Sequence, residues 1–297
     1  MEEIPTEHST FKLGILERGA EAVKISGIII KLIKMDKKVL KRQFMQMNPR
    51  LRYKLLGFVS FIAVCCFTFF FALTKLISIQ IDRSASDREY EQLKNAYAVF
   101  YQRELEESDD FNGRQKEESE EAEIVPVLEY QNPIDVNEDY IGWIMIANTK
   151  IDYPVTLTED NETYLTTSFS GRNSSYGTLF MDYENRAGFS SQHSIIYGHN
   201  IKNGAMFGSL SKYLSKEYQE QNEQIEVHTA DGKCLIYSII NVEITDAWSS
   251  SYQVNFLNDK EFEAFAKSLG APEGTERLLT LSTCTSSSDK DERLLIH

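Results

Sequence analysis

The sequence predicts a mainly β protein: a closed or nearly closed barrel of eight short strands behind a single membrane-spanning helix. Three observations predict this. From about residue 125, β-branched and aromatic runs recur between turn residues at 141–147, 151–157, 177–182, 194–197, 224–228, 233–245, 278–283 and 293–297. Few helical segments separate these runs, which favours a barrel over alternating βα units. Upstream, residues 55–74 read LLGFVSFIAVCCFTFFFALT, twenty positions without a charge.

A helix of that length covers about 30 Å, the hydrocarbon thickness of a bilayer. The run has no polar face, so it is not the core helix of a soluble protein. It is too long, and begins too far from Met1, for a cleaved signal peptide. Charge divides at the same place. Residues 1–54 carry 12 Lys+Arg against 6 Asp+Glu, whereas residues 55–297 carry 19 against 39. A basic head before an apolar run places the N-terminus in the cytoplasm and the acidic body outside. That body has no basic cluster, so a nucleic-acid partner is not expected.

The elements follow in order. Residues 20–46 alternate Ile, Leu and Val with Lys and Arg, the pattern of a basic amphipathic helix suited to an anionic leaflet, or else a flexible tail. Pro49 closes that segment. After the membrane run, residues 84–107 read as a second helix, capped by Ser84 or Ser86, with Tyr90, Leu93, Tyr97, Phe100 and Tyr101 on a stripe that should dock on the following domain. Residues 104–123 hold Glu or Asp at half of all positions and read as a solvated linker or frayed helix end; no calcium-loop spacing occurs there. Within the barrel, two helical insertions are expected, a short one at 206–214 and one at 259–269 ended by Gly270. The expected organisation is therefore a basic cytoplasmic tail at 1–54, a transmembrane signal anchor at 55–74, an extracellular helix and acidic linker at 75–123, and a β-barrel at 124–297.

Of four cysteines, Cys65 and Cys66 lie in the membrane run. The other two, Cys234 and Cys284, are both in the exported part, where one disulfide is conceivable. Cys234 lies in an alternating run and is expected to face a core. No Cys/His spacing resembles a zinc site, and neither a metal nor another cofactor is expected.

The chemistry concentrates at Cys284. The run Leu-Leu-Thr-Leu-Ser-Thr delivers this thiol to a strand end, and Arg293 opens the next short strand. Antiparallel pairing of the two would bring thiol and guanidinium to one end of the sheet. Acyl transfer by a thiol also needs a proton-carrying partner. The exported histidines are His193, His199, His228 and His297. On position His199 is favoured, because an apolar strand breaks at Gly198 and presents it from a rigidly held loop. A guanidinium keeps its charge and can hydrogen-bond a substrate carbonyl.

Taken together, Thr-Leu-Ser-Thr-Cys284, Tyr-Gly-His199-Asn and the downstream Arg293 resemble the sortases, membrane-anchored cysteine transpeptidases of Gram-positive bacteria. The resemblance is strongest to class B, through Gly142-Trp-Ile, Ile151-Asp-Tyr-Pro-Val, Tyr176-Gly-Thr-Leu-Phe-Met-Asp and the helix before the cysteine strand. It covers roughly residues 84–297. It implies an eight-stranded sortase-type barrel with an N-terminal helical cap. It also implies a Cys284 nucleophile, a His199 proton donor and an Arg293 that stabilises the oxyanion. The implied reaction cleaves a sorting signal, of an Asn-Pro-x-Thr kind, at the Thr carbonyl of a secreted protein. The acyl group then passes to an amine of peptidoglycan or a lipid-linked precursor, anchoring the protein to the wall. By similarity Asn161, Leu165, Tyr197, Tyr252 and Ser282 line the substrate groove.

The sequence departs from the family in three places. It stops four residues after Arg293; if that end is native, the last strand is expected to be minimal and the arginine loosely held. The loop 285–292 holds no aromatic residue, and the cytoplasmic head is long. Alternatives to wall anchoring are a pilus-polymerising class B sortase and a catalytically silent wall-binding module. An L,D-transpeptidase is disfavoured because no glycine precedes Cys284.

Overall fold

The computed structural model describes residues 37–110 and 132–297, in two compact units, one ending at Ser78 and one comprising Ile79–His297. In the first unit, α1 (Lys37–Gln46) stops ahead of Pro49, which opens α2 (Pro49–Asp110). Proline suits a first helical turn because its missing N–H is not needed there. The rest of the expected amphipathic segment, residues 20–36, lies outside the described residues. Along the apolar run of α2, Phe61, Val64, Phe67, Phe69, Phe70 and Phe71 are 58–73% exposed. This helix is long and apolar enough to cross a membrane, with a mean hydropathy of 2.4 in its most apolar window.

The helix expected at 84–107 is not a separate element. No Gly or Pro occurs between residues 58 and 110, so nothing breaks α2, and neither Ser84 nor Ser86 is a cap. Ser86 instead bonds back to the Asp82 carbonyl (3.0 Å) and across to Ser174 Oγ (2.8 Å).

Within the second unit, the aromatic stripe of α2 is a docking face. Tyr90, Leu93 and Tyr97 are buried. The Tyr97 ring stacks on Trp143 with centroids 4.0 Å apart and planes 2° from parallel. Such a pair adds about 1 kcal/mol beyond its buried area. Ionic contacts flank it: Lys94 meets Asp152 at 2.9 Å, and Arg172 reaches Asp82 and Glu89 at 3.1 Å each.

The barrel is one mixed sheet. Its strands are β1 (Tyr140–Met145), β2 (Asp152–Thr156), β3 (Leu179–Met181), β4 (His193–Tyr197), β5 (Gln224–Thr229), β6 (Cys234–Ser238), β7 (Val242–Asp246), β8 (Leu278–Cys284) and β9 (Glu292–Ile296). Their spatial order is β6-β5-β1-β2-β3-β4-β8-β9-β7. β2–β3 and β4–β8 are parallel, and the other pairs are antiparallel. β6 and β7 lie at opposite edges, yet only residues 239–241 join them. Three residues span about 10 Å at most, so the sheet must roll until its edges meet. At that seam the Ile239 N–H donates to Glu223 and the Ile240 N–H to His297.

This seam explains why the described strands number nine rather than eight. The run 233–245 alternates as one strand would, but its backbone changes partners midway, and alternation alone cannot reveal that. The same run misplaced Cys234. Leu235 and Tyr237 pack toward the core, which leaves Cys234, Ile236 and Ser238 exposed on the opposite parity. All four cysteines are free, so no disulfide links Cys234 to Cys284.

The insertion expected at 206–214 is mostly irregular, with only a 3₁₀ turn at Leu210–Leu214, and a short helix at Lys216–Gln221 follows it. The later insertion forms at Asp259–Ser268. The Asn258 side chain caps it by accepting from the Glu261 N–H (3.2 Å), and Gly270 ends it at φ +92°. Phe262 and Ala266 pack under it against Leu278, which fixes the entry of β8.

Candidate active site

Three adjacent strands build the site. β4 and β8 run parallel with Tyr197 opposite Ser282. Two residues beyond that pair come His199 and Cys284, so both lie past the same end of the sheet. β9 runs antiparallel to β8 with Arg293 directly opposite Cys284. Side chains of directly opposed residues share a face about 5 Å apart.

The loop that carries His199 is tied to β8. The Gly198 N–H donates to Ser282 O (3.1 Å), Thr283 Oγ1 donates to Gly198 O (2.7 Å), and Asn200 Nδ2 donates to Cys284 O (2.8 Å). Position 198 admits only glycine: a Cβ there would fall 2.4 Å from Leu179 and 2.6 Å from Phe207. His199 Nε2 lies 2.7 Å from the Leu165 carbonyl, which can only accept, so this nitrogen carries a proton. Nδ1 makes no hydrogen bond among the described residues. Gly177 holds the segment that supplies this carbonyl. It sits at φ +60°, where a Cβ would strike Tyr164 O at 2.3 Å.

Arg293 is anchored by one nitrogen. Its Nη1 donates to Lys290 O (2.6 Å) and Glu292 O (3.1 Å). Nε and Nη2 have no partner and the guanidinium meets no carboxylate among the described residues, so donors remain for a substrate oxygen. The expectation that a short last strand holds Arg293 loosely is corrected. β9 is paired on both sides, by β7 and β8, and Leu294, Leu295 and Ile296 are buried.

His199, Cys284 and Arg293 line one groove of about 560 Å³. Cys284 is exposed, and His199 and Arg293 are half-buried. Asn161, Leu165, Tyr197, Tyr252 and Ser282 line the same groove. Tyr252 OH lies 2.7 Å from Ser282 Oγ, and its ring stacks on Tyr197. Burial pushes the Tyr252 hydroxyl up, while Ser282 and Arg293 oppose the shift.

One groove residue escaped the reading of the sequence. Asp182 is buried just past β3 and accepts from Tyr197 OH (2.8 Å) and Asn161 Nδ2 (3.0 Å). Asn161 Oδ1 in turn accepts from the Tyr183 N–H (2.9 Å). Asp182 thus sets both side chains. It ends a motif already noticed, Tyr176-Gly-Thr-Leu-Phe-Met-Asp, and a carboxylate closing an apolar strand is the signal that points to it. The other three histidines among the described residues do not reach the groove. His193 and His297 are buried, both bonded to Thr280 Oγ1 (2.7 and 2.8 Å), and His228 lies against α2.

The chain is similar to known proteins. The sortase domain matches residues 144–297. Sortase B of Listeria monocytogenes is 28% identical over 172 residues, covering 54% of this chain and 69% of that protein. Sortase B of Staphylococcus aureus is 28% identical over 171 residues, covering 54% and 70%. Among solved structures, Clostridium perfringens sortase B is 26% identical with a TM-score of 0.50, covering 56% of this chain and 96% of that one. A Staphylococcus aureus sortase B–substrate complex shares the fold at 22% identity and a TM-score of 0.59, covering 73% and 96%. With its barrel, its groove and these relatives, the chain belongs to the sortase family of cysteine transpeptidases and is most like the class B members.

Proposed function

We propose that this chain is a membrane-anchored cysteine transpeptidase that cleaves an Asn-Pro-x-Thr type of sorting signal and joins the secreted protein to a peptidoglycan amine. The observation that carries the reading is the row formed by β4, β8 and β9, which aligns a histidine, a thiol and an unpaired guanidinium along one open groove.

In this mechanism Cys284 Sγ attacks the Thr carbonyl carbon. The carbonyl oxygen takes up negative charge and accepts from the free N–H groups of Arg293. As the C–N bond breaks, His199 gives a proton to the leaving amine, and a thioester remains on Cys284. The acceptor amine then attacks the thioester, His199 takes its proton, and the thiolate leaves. The Leu165 carbonyl holds Nε2, which leaves Nδ1 for this exchange. Asn161, Leu165, Tyr197, Tyr252 and Ser282 form the walls that hold the signal. The membrane run at 55–74 is the anchor, with the basic tail at 1–54 cytoplasmic, the segment 75–123 outside as helix and linker, and the catalytic barrel at 124–297 extracellular.

The test is a panel of sorting-signal peptides presented to the purified chain with and without amine acceptors, with products identified by mass spectrometry. Cleavage between Thr and the next residue, with capture by the amine, is the expected outcome. No cleavage of any peptide, together with Cys284 alkylation by a vinyl sulfone no faster than that of Cys234 in the unfolded chain, would favour a silent binding module. Capture by a lysine of a pilin-like partner rather than by a wall amine would favour pilus polymerisation.

A further inference from the structure

A second cluster of reactive side chains lies away from the groove, at the β5–β6 edge. Glu226 and His228 are two residues apart on β5, so they share one face of the sheet. Cys234 opens β6 directly opposite His228. The Glu226 carboxylate, the His228 Nε2 and the Cys234 Sγ lie within 4.8 Å of one another. In the sequence this is merely Glu-x-His with a cysteine six residues on, which has no zinc-ligand spacing; strand pairing makes it a triad.

We propose that Glu226, His228 and Cys234 form a zinc-binding site. The donor set, one carboxylate, one imidazole and one thiol, matches what zinc takes, with a fourth position open to water at the exposed cysteine. Bond lengths of about 2.0–2.3 Å to a tetrahedral ion put neighbouring donors roughly 3.3–3.8 Å apart. Cys234 Sγ and Glu226 Oε1 are 3.6 Å apart, within that window. His228 Nε2 and Glu226 Oε1 are 2.5 Å apart and must separate by about 1 Å to admit the ion. The Glu226 side chain is 42% exposed, which leaves room on its solvent side for that separation.

Support behind the histidine is the second observation. The His228 ring is buried, its Nδ1 is held by Tyr97 OH at 2.6 Å, and Tyr101 stacks on it with centroids 4.1 Å apart. A ligand histidine whose other nitrogen is fixed in this way is pre-oriented. The neighbouring Lys233 is paired with Asp231, and no Lys or Arg among the described residues pairs with Glu226. The ion would fasten the edge hairpin and, through Tyr97, the docked part of α2. None of the three ligands lines the groove, so the role is structural.

The test uses the full-length chain in detergent micelles, reduced, in a Cys284→Ala background so that the groove thiol does not compete. Titration with cobalt(II) should give one ion per chain, with a thiolate-to-cobalt charge-transfer band in the near ultraviolet that one equivalent of zinc(II) removes. Cys234→Ser should abolish the band. His228→Gln and Glu226→Gln should weaken binding, and Tyr97→Phe should lower zinc affinity about 10- to 100-fold. A missing band, or a band that survives Cys234→Ser, overturns the site. A measurement without substitutions guards against misfolded variants: equimolar zinc should slow alkylation of Cys234 in the native protein, and an unchanged rate would equally overturn the proposal.

Discussion

Two cysteine–histidine pairs stand on this sheet in opposite surroundings. Cys284 and His199 are brought together by the parallel register of β4 and β8, in an open groove, with Arg293 opposite and no carboxylate paired to the guanidinium among the described residues. Cys234 and His228 face each other on an edge hairpin, with Glu226 beside both. A carboxylate near a thiol disfavours the thiolate. Burial and the Glu226 charge push the Cys234 thiol up. The same two residue types thus stand beside a guanidinium at one place and beside a carboxylate at the other. Residue type alone does not set a cysteine's surroundings; the neighbouring strand does.

The largest test of this contrast is to remove each thiol. Cys284→Ala should abolish cleavage of a sorting-signal peptide while the fold persists, and Cys234→Ala should leave turnover near that of the parent; peptide hydrolysis assays with circular dichroism check both. Next is the histidine. His199→Ala should lower kcat by about 10²–10⁴-fold, and a variant that keeps parental rates would transfer the proton role elsewhere. Arg293→Lys should cost about 10²–10³-fold, close to the cost of Arg293→Ala, because the planar donor pair matters more than the charge. Near-normal kcat in the lysine variant would reduce Arg293 to a general electrostatic influence.

The smallest expected effect concerns a third kind of histidine. His193 is fully enclosed, and burial lowers its pKa to about 4. The unfolded chain protonates the same residue below about pH 6.5. Between those values the unfolded state binds more protons, so stability falls as pH drops from 6.5 toward 4, by roughly 3 kcal/mol in all. His193→Gln should flatten that part of the stability–pH curve, as read from melting temperatures across the window. An unchanged slope would show that other groups control acid unfolding.

Much of this geometry was legible in the sequence because strand ends are local features. Alternation located most strands, and the glycine before His199 and the turn before Arg293 marked where backbone leaves the sheet. Long-range pairing was not legible. The switch of partners at residues 239–241 is invisible to periodicity, and it both hid one strand and reversed the side assigned to Cys234. The uninterrupted α2 was missed for another reason: serines at 84 and 86 look like caps, yet capping needs a break, and the sequence offers none. Asp182 was missed because one acid after an apolar strand is an ordinary turn signal until its partners are known.

The hydrogen bonds between the His199 loop and β8 also bear on how such a chain can vary. The long excursion between His199 and Cys284 leaves from β4 and returns on its direct neighbour, so the alignment of the two residues is enforced where the excursion begins and ends. Ala247, Tyr252, Gln253, Val254 and Asn255 of that excursion supply one wall of the groove. Substitutions or insertions there can reshape that wall while His199 and Cys284 keep their relative places. The architecture therefore lets one groove wall vary independently of the register that aligns the two residues.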